Sequence, residues 1–592
     1  MADILGIDLG TTNTVVAIWR DGEPRIVLNA EGYPLTPSVV ALAPDGEWVV
    51  GHRARAIAEQ DPQSVVYSIK RFIGRRFQEE VIQDELEKSH ILYRVTESCR
   101  RQSGIEVTLG DKRLTPQEVS AKILQKIKAD AEAYLEHKVT QAVITVPAYF
   151  HDSQRQATRD AGRIAGLEVK RVLNEPTAAC LAFGYKKLAE KRKTIAVYDL
   201  GGGTFDISIL EVGQGPFRVR ATNGDTHLGG DDLDWLIVDW ILEEIGEKKL
   251  KDNLPALARL RAAAERAKIA LSDVDQVQVQ VSGLFGPSPH GDVDLTLTKT
   301  RLEMLAEQFV ARTLEPCNRA LQDARLGTSA IQEVLLVGGQ TRMPAVRQAV
   351  RKLFGIEPNT SVNPDEVVAL GAAVQAAILA GEDTKLKLSD VVPLTLGVST
   401  KGYMDALIPR NTWVPVSKTK MYSTAEDNQE SVEIQIYQGE RPMVADNVKL
   451  GSFILKGIEP APRGEPQIEV TFKVDQDGIL HVTGKDLRTG NFKEITITDS
   501  VRLSDEEIEG MIRDADEHAA EYAAQRRQIE AQEQSERIVE QFAKLLAEKE
   551  AALPADPVIA IREMLNAPPP DDWTARLTDL ENLWQRVRKV GQ

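Results

Sequence analysis

The stretch from Thr194 to Ile209 constrains this chain more than any other. An apolar run, Ile195 to Tyr198, delivers Asp199 to a turn of three glycines, Gly201, Gly202 and Gly203, and a second run leaves through Thr204, Phe205 and Asp206. The order predicts two strands joined by a loop with bared backbone N–H groups. Glycines let phosphate oxygens approach the main chain, the N–H groups form an anion nest, and carboxylates hold a divalent ion that offsets phosphate charge. Alone, the loop reads equally well as an ordinary glycine-rich hairpin. Residues 4–18 repeat the layout with an apolar strand, Asp8, Gly10, Thr11, Thr12, Asn13 and a second strand. Two Asp-Leu-Gly hairpins in one chain indicate an internal duplication. Facing each other, the two halves would clamp the phosphate tail of a nucleotide.

The chain has 592 residues, which corresponds to about four structural units. Its net charge of −17 argues against nucleic acid as a partner. Three cysteines, Cys99, Cys180 and Cys317, are widely separated and have no paired metal spacing, which makes a reducing compartment the expectation. Asp3 and Asp8 interrupt the first apolar run, so no signal peptide is expected. The longest apolar window, Val367 to Ala380, is shorter than the ~20 residues a bilayer span requires. A soluble, cytoplasmic protein with no membrane partner is the expectation.

Up to about residue 380, strand and helix patterns alternate. Lys70 sits among apolar neighbours in Tyr67–Arg76, where a lysine could polarise a terminal phosphate or orient water, although lysines are usually surface residues. Thr115-Pro116 with Glu118 predicts a helix to about His137. Glu175 precedes Pro176, which fixes it at a helix entrance, there either to bind a metal-held water or simply to suit the dipole. Gly229 and Gly230 open an apolar helix and could offer N–H groups to a phosphate. Glu265, Lys268, Ile269 and Ser272 share a helix face suited to ribose and a base edge. Gly338 and Gly339 follow a buried strand, and the guanidinium of Arg342 could stack on adenine.

The paired hairpins resemble the actin-like ATPases. With Val146-Pro-Ala-Tyr-Phe150, Asn174-Glu-Pro-Thr-Ala-Ala179 and Gly338-Gly-Gln-Thr-Arg342, the likeness becomes one to the bacterial DnaK branch of the seventy-kilodalton heat-shock chaperones. That resemblance implies a multidomain chain: an actin-like α/β ATPase of two duplicated lobes over 1–380, a linker over 381–392, an antiparallel β-sandwich over 393–500 and an α-helical lid over 501–592. It implies that Asp8, Glu175, Asp199 and Asp206 organise magnesium and potassium around ATP or ADP, that Lys70 and Glu175 place the water, and that Thr11, Thr12 and Thr204 contact phosphate. Pro147 and Arg155 would relay between nucleotide and substrate domain, while Arg171, Asn174 and Asp390 would meet a J-domain co-chaperone.

The linker carries Lys385 and Lys387 between Leu386 and Leu388, where the family has consecutive leucines. From Pro393 to about Ser500 the pattern is all-β, with Val432, Ile434 and Ile436 alternating inward. By resemblance Val398, Tyr422, Val432, Ile434, Ile436 and Ile468 line a cleft for an extended apolar peptide, with Ala425 on an arch above it; without it they read as core. Lys401 stands where the family has an arch methionine, and Tyr422 where it has phenylalanine. Ser504 and Glu507 form a capping box that starts a long amphipathic helix, and Trp573, Leu577, Leu580, Trp584 and Val587 recur on a later one. A lid or a coiled-coil arm would both use this pattern. The chain stops at Gln592 without the acidic tail of many relatives, so tail-dependent partners are not expected.

The resemblance implies an ATP-driven chaperone that binds and releases apolar segments of unfolded polypeptides, with a J-domain co-chaperone and a nucleotide exchange factor as partners. A specialised paralogue with a restricted client is the nearest alternative. A small-molecule kinase or an actin-like filament former would share the phosphate loops, but neither needs a C-terminal sandwich with a lid.

Overall fold

The computed structural model describes residues 3–87, 90–98, 104–186, 191–246, 248–282, 284, 293–382, 388–400, 402–496, 528, 531–532, 534–547, 554–568, 570 and 572–590. Two mixed sheets organise the front part. The first runs in the order Glu168–Asn174, Gln141–Val146, Ile4–Leu9, Asn13–Arg20, Glu23–Ile26, and the second in the order Glu333–Val337, Lys193–Leu200, Phe205–Val212, Phe217–Asp225, Leu388–Ser389. In each, the first hairpin strand pairs parallel with a later strand and antiparallel with its own partner. The same handling of the two hairpins places Asp8 and Asp199 at equivalent strand ends.

Helix Val367–Leu379 is apolar around most of its circumference, the pattern of a helix buried on all sides. It crosses helix Glu175–Gly184 so closely that a Cβ on Gly371 would lie 1.7 Å from the Ala178 carbonyl oxygen. Helix Pro116–Leu135 starts as its sequence predicts. Thr115 Oγ1 accepts from the Glu118 N–H at 3.3 Å, and Glu118 Oε2 accepts from the Thr115 N–H at 2.6 Å.

Beyond residue 393 two four-stranded antiparallel sheets face each other. One joins Tyr403–Ile408, Leu396–Thr400, Ser431–Gln438 and Val448–Lys456; the other joins Val416–Tyr422, Ile468–Val474, Leu480–Asp486 and Phe492–Thr496. Alternate residues of Ile468–Val474 point into a shared core with Ile434, Ile436 and Val482. The described C-terminal residues are helical over 534–547, Ala555–Asn566 and Trp573–Val590. Phe542, Ile561, Leu580, Leu583 and Val587 form their core with Trp584 packed against it, so Leu580, Trp584 and Val587 of the expected stripe take part while Trp573 and Leu577 stay half-buried outside it. The capping box at Ser504, the start of the long helix, Lys385, Leu386, Lys387 and Lys401 lie outside the described residues. Leu388 lies within them and pairs with Phe217 on the edge of the second sheet.

A methyl at Gly371 has backbone in its way, and overpacking of this kind costs about 1–3 kcal/mol. Gly371→Ala is therefore expected to lower the first thermal unfolding transition measurably, and an unchanged midpoint would show that the two helices can part without cost.

Candidate functional site

The two hairpin loops pack directly on each other. A Cβ at Gly202 would lie 1.7 Å from Thr12 Oγ1, and one at Gly203 would lie 2.5 Å from Thr11 Cγ2, so only glycine permits this approach. Beside the contact opens a cleft of about 340 Å³, within the range of ligand pockets. It is lined by Asp8, Gly10, Thr11, Thr12, Asn13, Lys70, Glu175, Asp199, Gly201, Gly202, Thr204, Gly230, Glu265, Lys268, Gly338, Gly339 and Arg342. Ser272 lines an adjoining cavity of about 550 Å³ together with Lys268, Gly339 and Arg342. Gly203, Asp206 and Gly229 stand behind the lining.

The expectation that Gly229 and Gly230 offer N–H groups to a phosphate needs correction. Gly229 donates its N–H to Asp232 Oδ2 at 2.8 Å, and Gly230 donates to the Gly201 carbonyl at 3.0 Å. Both donors are spent fixing the glycine-rich loop against the next helix. Arg342 is likewise held, donating to Asp365 Oδ2 at 2.6 Å and to Asn363 Oδ1 at 2.9 Å while remaining exposed.

Lys70, which residue type alone would place at the surface, is buried and its Nζ lies 2.6 Å from Glu175 Oε1. Around this pair stand three further carboxylates. Burial, reinforced by Glu175, pushes Asp8 up to about 7 although Lys70 and a hydrogen bond from Thr145 oppose it. Burial and Glu175 raise Asp206 to about 8 against the N–H of Tyr149, which Oδ1 accepts at 3.1 Å. Asp199 is raised well above its ordinary value by burial and by Glu175, Asp206 and Asp8. Asp206 Oδ2 and Thr12 Oγ1 are buried with no hydrogen-bond partner. Crowded carboxylates and orphaned oxygens fit a site completed by a cation and a polyanion.

Residues that motif reading passed over tie the halves together across the cleft. Arg71 donates to Asp232 Oδ2 at 2.6 Å and to Glu85 Oε1 at 2.8 Å. Ser68 donates to Asp231, Arg75 to Thr226 at 2.9 Å, and Arg55 pairs with Glu265. Arg261 stacks its guanidinium 4.0 Å from the Tyr67 ring. The available signals were the acidic pair after Gly229-Gly230 and the arginine beside Lys70.

A family model for Hsp70 protein matches residues 4–587. The chain belongs to the Hsp70 family. It is 50% identical over 553 residues to the chaperone protein dnaK of Cyanidioschyzon merolae (strain NIES-3377 / 10D), a match spanning 92% of this chain and 90% of that protein. As an Hsp70 it is an ATP-dependent chaperone.

In this Hsp70 the residues expected to relay and to bind peptide fall into two further clusters. Asp206 accepts from Tyr149, two residues after Pro147. Arg155 donates to the Ala148 carbonyl at 3.1 Å and to Asn174 Oδ1 at 2.6 Å, and Thr177 donates to Asp390 Oδ2 at 3.0 Å. The sandwich sits against the same ground. Asp152 Oδ1 accepts from the Leu480 N–H at 3.0 Å, Arg159 pairs with Asp477, and Arg410 donates to Asp323 Oδ1 at 2.8 Å. Val398 stands opposite Ile436, and Tyr422 opposite Ile468. Val398, Ile434, Ile436 and Ile468 are buried here, Val432 and Tyr422 are half-buried, and Ala425 is exposed.

Asp206 binds its proton more tightly in the folded protein than in the unfolded chain, so its contribution to stability falls as pH rises from the unfolded value near 3.8 through about 8. Without nucleotide, Asp206→Asn is expected to gain in melting midpoint on the parent between pH 6 and pH 8. A constant difference across that range would show that Asp206 is ionised throughout.

Proposed function

We propose that this Hsp70 hydrolyses ATP between two duplicated, actin-like lobes and uses the bound nucleotide to set how fast its β-sandwich exchanges an extended apolar peptide. The observation that carries the reading is the buried Lys70–Glu175 pair set among Asp8, Asp199 and Asp206 at the meeting point of the two glycine-rich hairpins. In this reading 1–380 is the ATPase domain, 381–392 the linker, 393–500 the peptide-binding sandwich and 501–592 the lid.

Lys70 would hold the terminal phosphate and Glu175 the attacking water, while Thr11, Thr12, Thr204 and the N–H groups of Gly202 and Gly203 would contact phosphate oxygens. Hydrolysis of this kind relies on positioning and electrostatics and forms no covalent intermediate. Asp8, Glu175, Asp199 and Asp206 would hold magnesium largely through water, with potassium beside it. Magnesium supplies charge neutralisation of the phosphates when bound. Glu265, Lys268 and Ser272 would take the ribose and Arg342 the adenine face.

Val398, Tyr422, Ala425, Val432, Ile434, Ile436 and Ile468 would form the peptide cleft, with Tyr422 and Val432 at its accessible side. Pro147, Arg155 and Asp390 would couple it to the nucleotide, through the hydrogen-bonded run from Asp206 to the linker. The clients are unfolded polypeptides, the partners a J-domain co-chaperone and an exchange factor, and the place of action the cytoplasm. No described helix is long and apolar enough to cross a membrane.

Lys70→Ala is expected to keep ATP binding and to slow single-turnover hydrolysis by about 10²-fold or more. Hydrolysis at the parental rate would remove Lys70 from this role. Val432→Phe is expected to fill the cleft and weaken binding of an apolar heptapeptide, and parental affinity would move the cleft elsewhere. In the parent the same heptapeptide should stimulate ATP turnover; a kinase or a filament former has no reason to respond to it.

A further inference from the structure

The outer edge of the second sheet is completed by groups from outside it. Strand Phe217–Asp225 offers that edge, and Phe217 and Arg218 are paired by Leu388 and Ser389 of the linker. At the next residue the ladder passes to a side chain. The Val219 carbonyl accepts the indole N–H of Trp413 at 2.8 Å, and the Arg218 guanidinium lies 5.3 Å from the centre of the Trp413 ring. Farther along, the Thr222 N–H donates to Asn411 Oδ1 at 3.1 Å.

The loop that carries Trp413 is itself bound to the chain leaving the linker. Asn411 donates its N–H to the Val392 carbonyl at 2.7 Å, Val392 donates to Thr412 at 2.9 Å, and Val414 donates to Asp390 at 2.9 Å. Trp413 is 48% exposed, so burial alone does not fix its ring. Its main chain bridges Val391, and its side chain makes one directed hydrogen bond and one cation–π contact, both to residues that pair with or adjoin the linker strand.

We propose that Trp413 is a positioning residue for communication between the nucleotide-bearing part and the sandwich. Its indole extends the edge ladder only when the linker strand lies on Phe217 and Arg218, so the sandwich engages the front part through a side chain that senses linker docking. Undocking exposes the Val219 carbonyl and releases Arg218 together. The latch rests on the coupling proposed above and adds to it a residue whose contacts lie away from both the nucleotide cleft and the peptide cleft.

The test uses the full chain and a fluorescent apolar heptapeptide, with off-rates measured in ATP and in ADP. Trp413→Phe keeps an aromatic ring at this position and deletes the indole N–H together with one ring of the bicycle. It is expected to leave ATP affinity and peptide affinity in ADP unchanged while the ratio of the two off-rates moves toward one by about two- to tenfold, the effect of losing a single hydrogen bond. The indole emission of the parent should also change between ADP and ATP by an amount the variant lacks. A variant with the parental off-rate ratio overturns the latch and leaves the coupling standing. A parent whose off-rate is the same in both nucleotides overturns the coupling and the latch with it.

Discussion

Four carboxylates and one ammonium group share the buried meeting point of the two hairpins, and the arrangement of the front part follows from what that crowding requires. Lys70 and Glu175 satisfy each other, but Asp8, Asp199 and Asp206 face one another and Glu175 with little water to screen them. Without a further positive charge the least costly state keeps protons on some of them. A cation with phosphate oxygens would let the carboxylates ionise and give the orphaned oxygens of Asp206 and Thr12 a partner.

That crowding bears on contacts away from the cleft. The halves touch through side chains that cross between them, Arg71 with Asp232, Ser68 with Asp231, Arg55 with Glu265, so ligand that draws the hairpins together also bears on these links. Asp206 hangs from the N–H of Tyr149, and the segment after Pro147 is held by Arg155, which reaches Asn174 beside the linker contact of Asp390. Leu388 and Ser389 then continue the edge of the second sheet, and the loop carrying Arg410, Asn411 and Trp413 continues it further. A strand edge is a natural place for such a connection, because its unpaired N–H groups donate to, and its C=O groups accept from, any main chain or side chain of suitable geometry.

Much of this was legible in the residues. The two hairpins, the capped helix at Thr115 and the alternating strands of the sandwich are local patterns with one stable solution each, and they fold as read. The resemblance brought Lys70 and Glu175 to one site, which type and position could not, but not their ion pair: whether a lysine is buried depends on a partner 105 residues away. Gly229 and Gly230 show the opposite failure. Their sequence suggests free donors, yet tertiary packing spends those donors on Asp232 and on Gly201. The pairing of the links across the cleft and the contacts of Trp413 were invisible for the same reason, since each depends on two segments far apart in the chain.

The crowded carboxylates Asp8, Asp199 and Asp206 keep protons among them that a magnesium–nucleotide complex would replace. Calorimetric titration of the nucleotide-free protein with ATP at pH 7, in two buffers of different ionisation enthalpy and with either magnesium or a chelator present, tests it directly. The account predicts proton release on binding, seen as buffer-dependent heat, and much weaker binding in chelator. Heat independent of the buffer, with equal affinity in magnesium and in chelator, would contradict it.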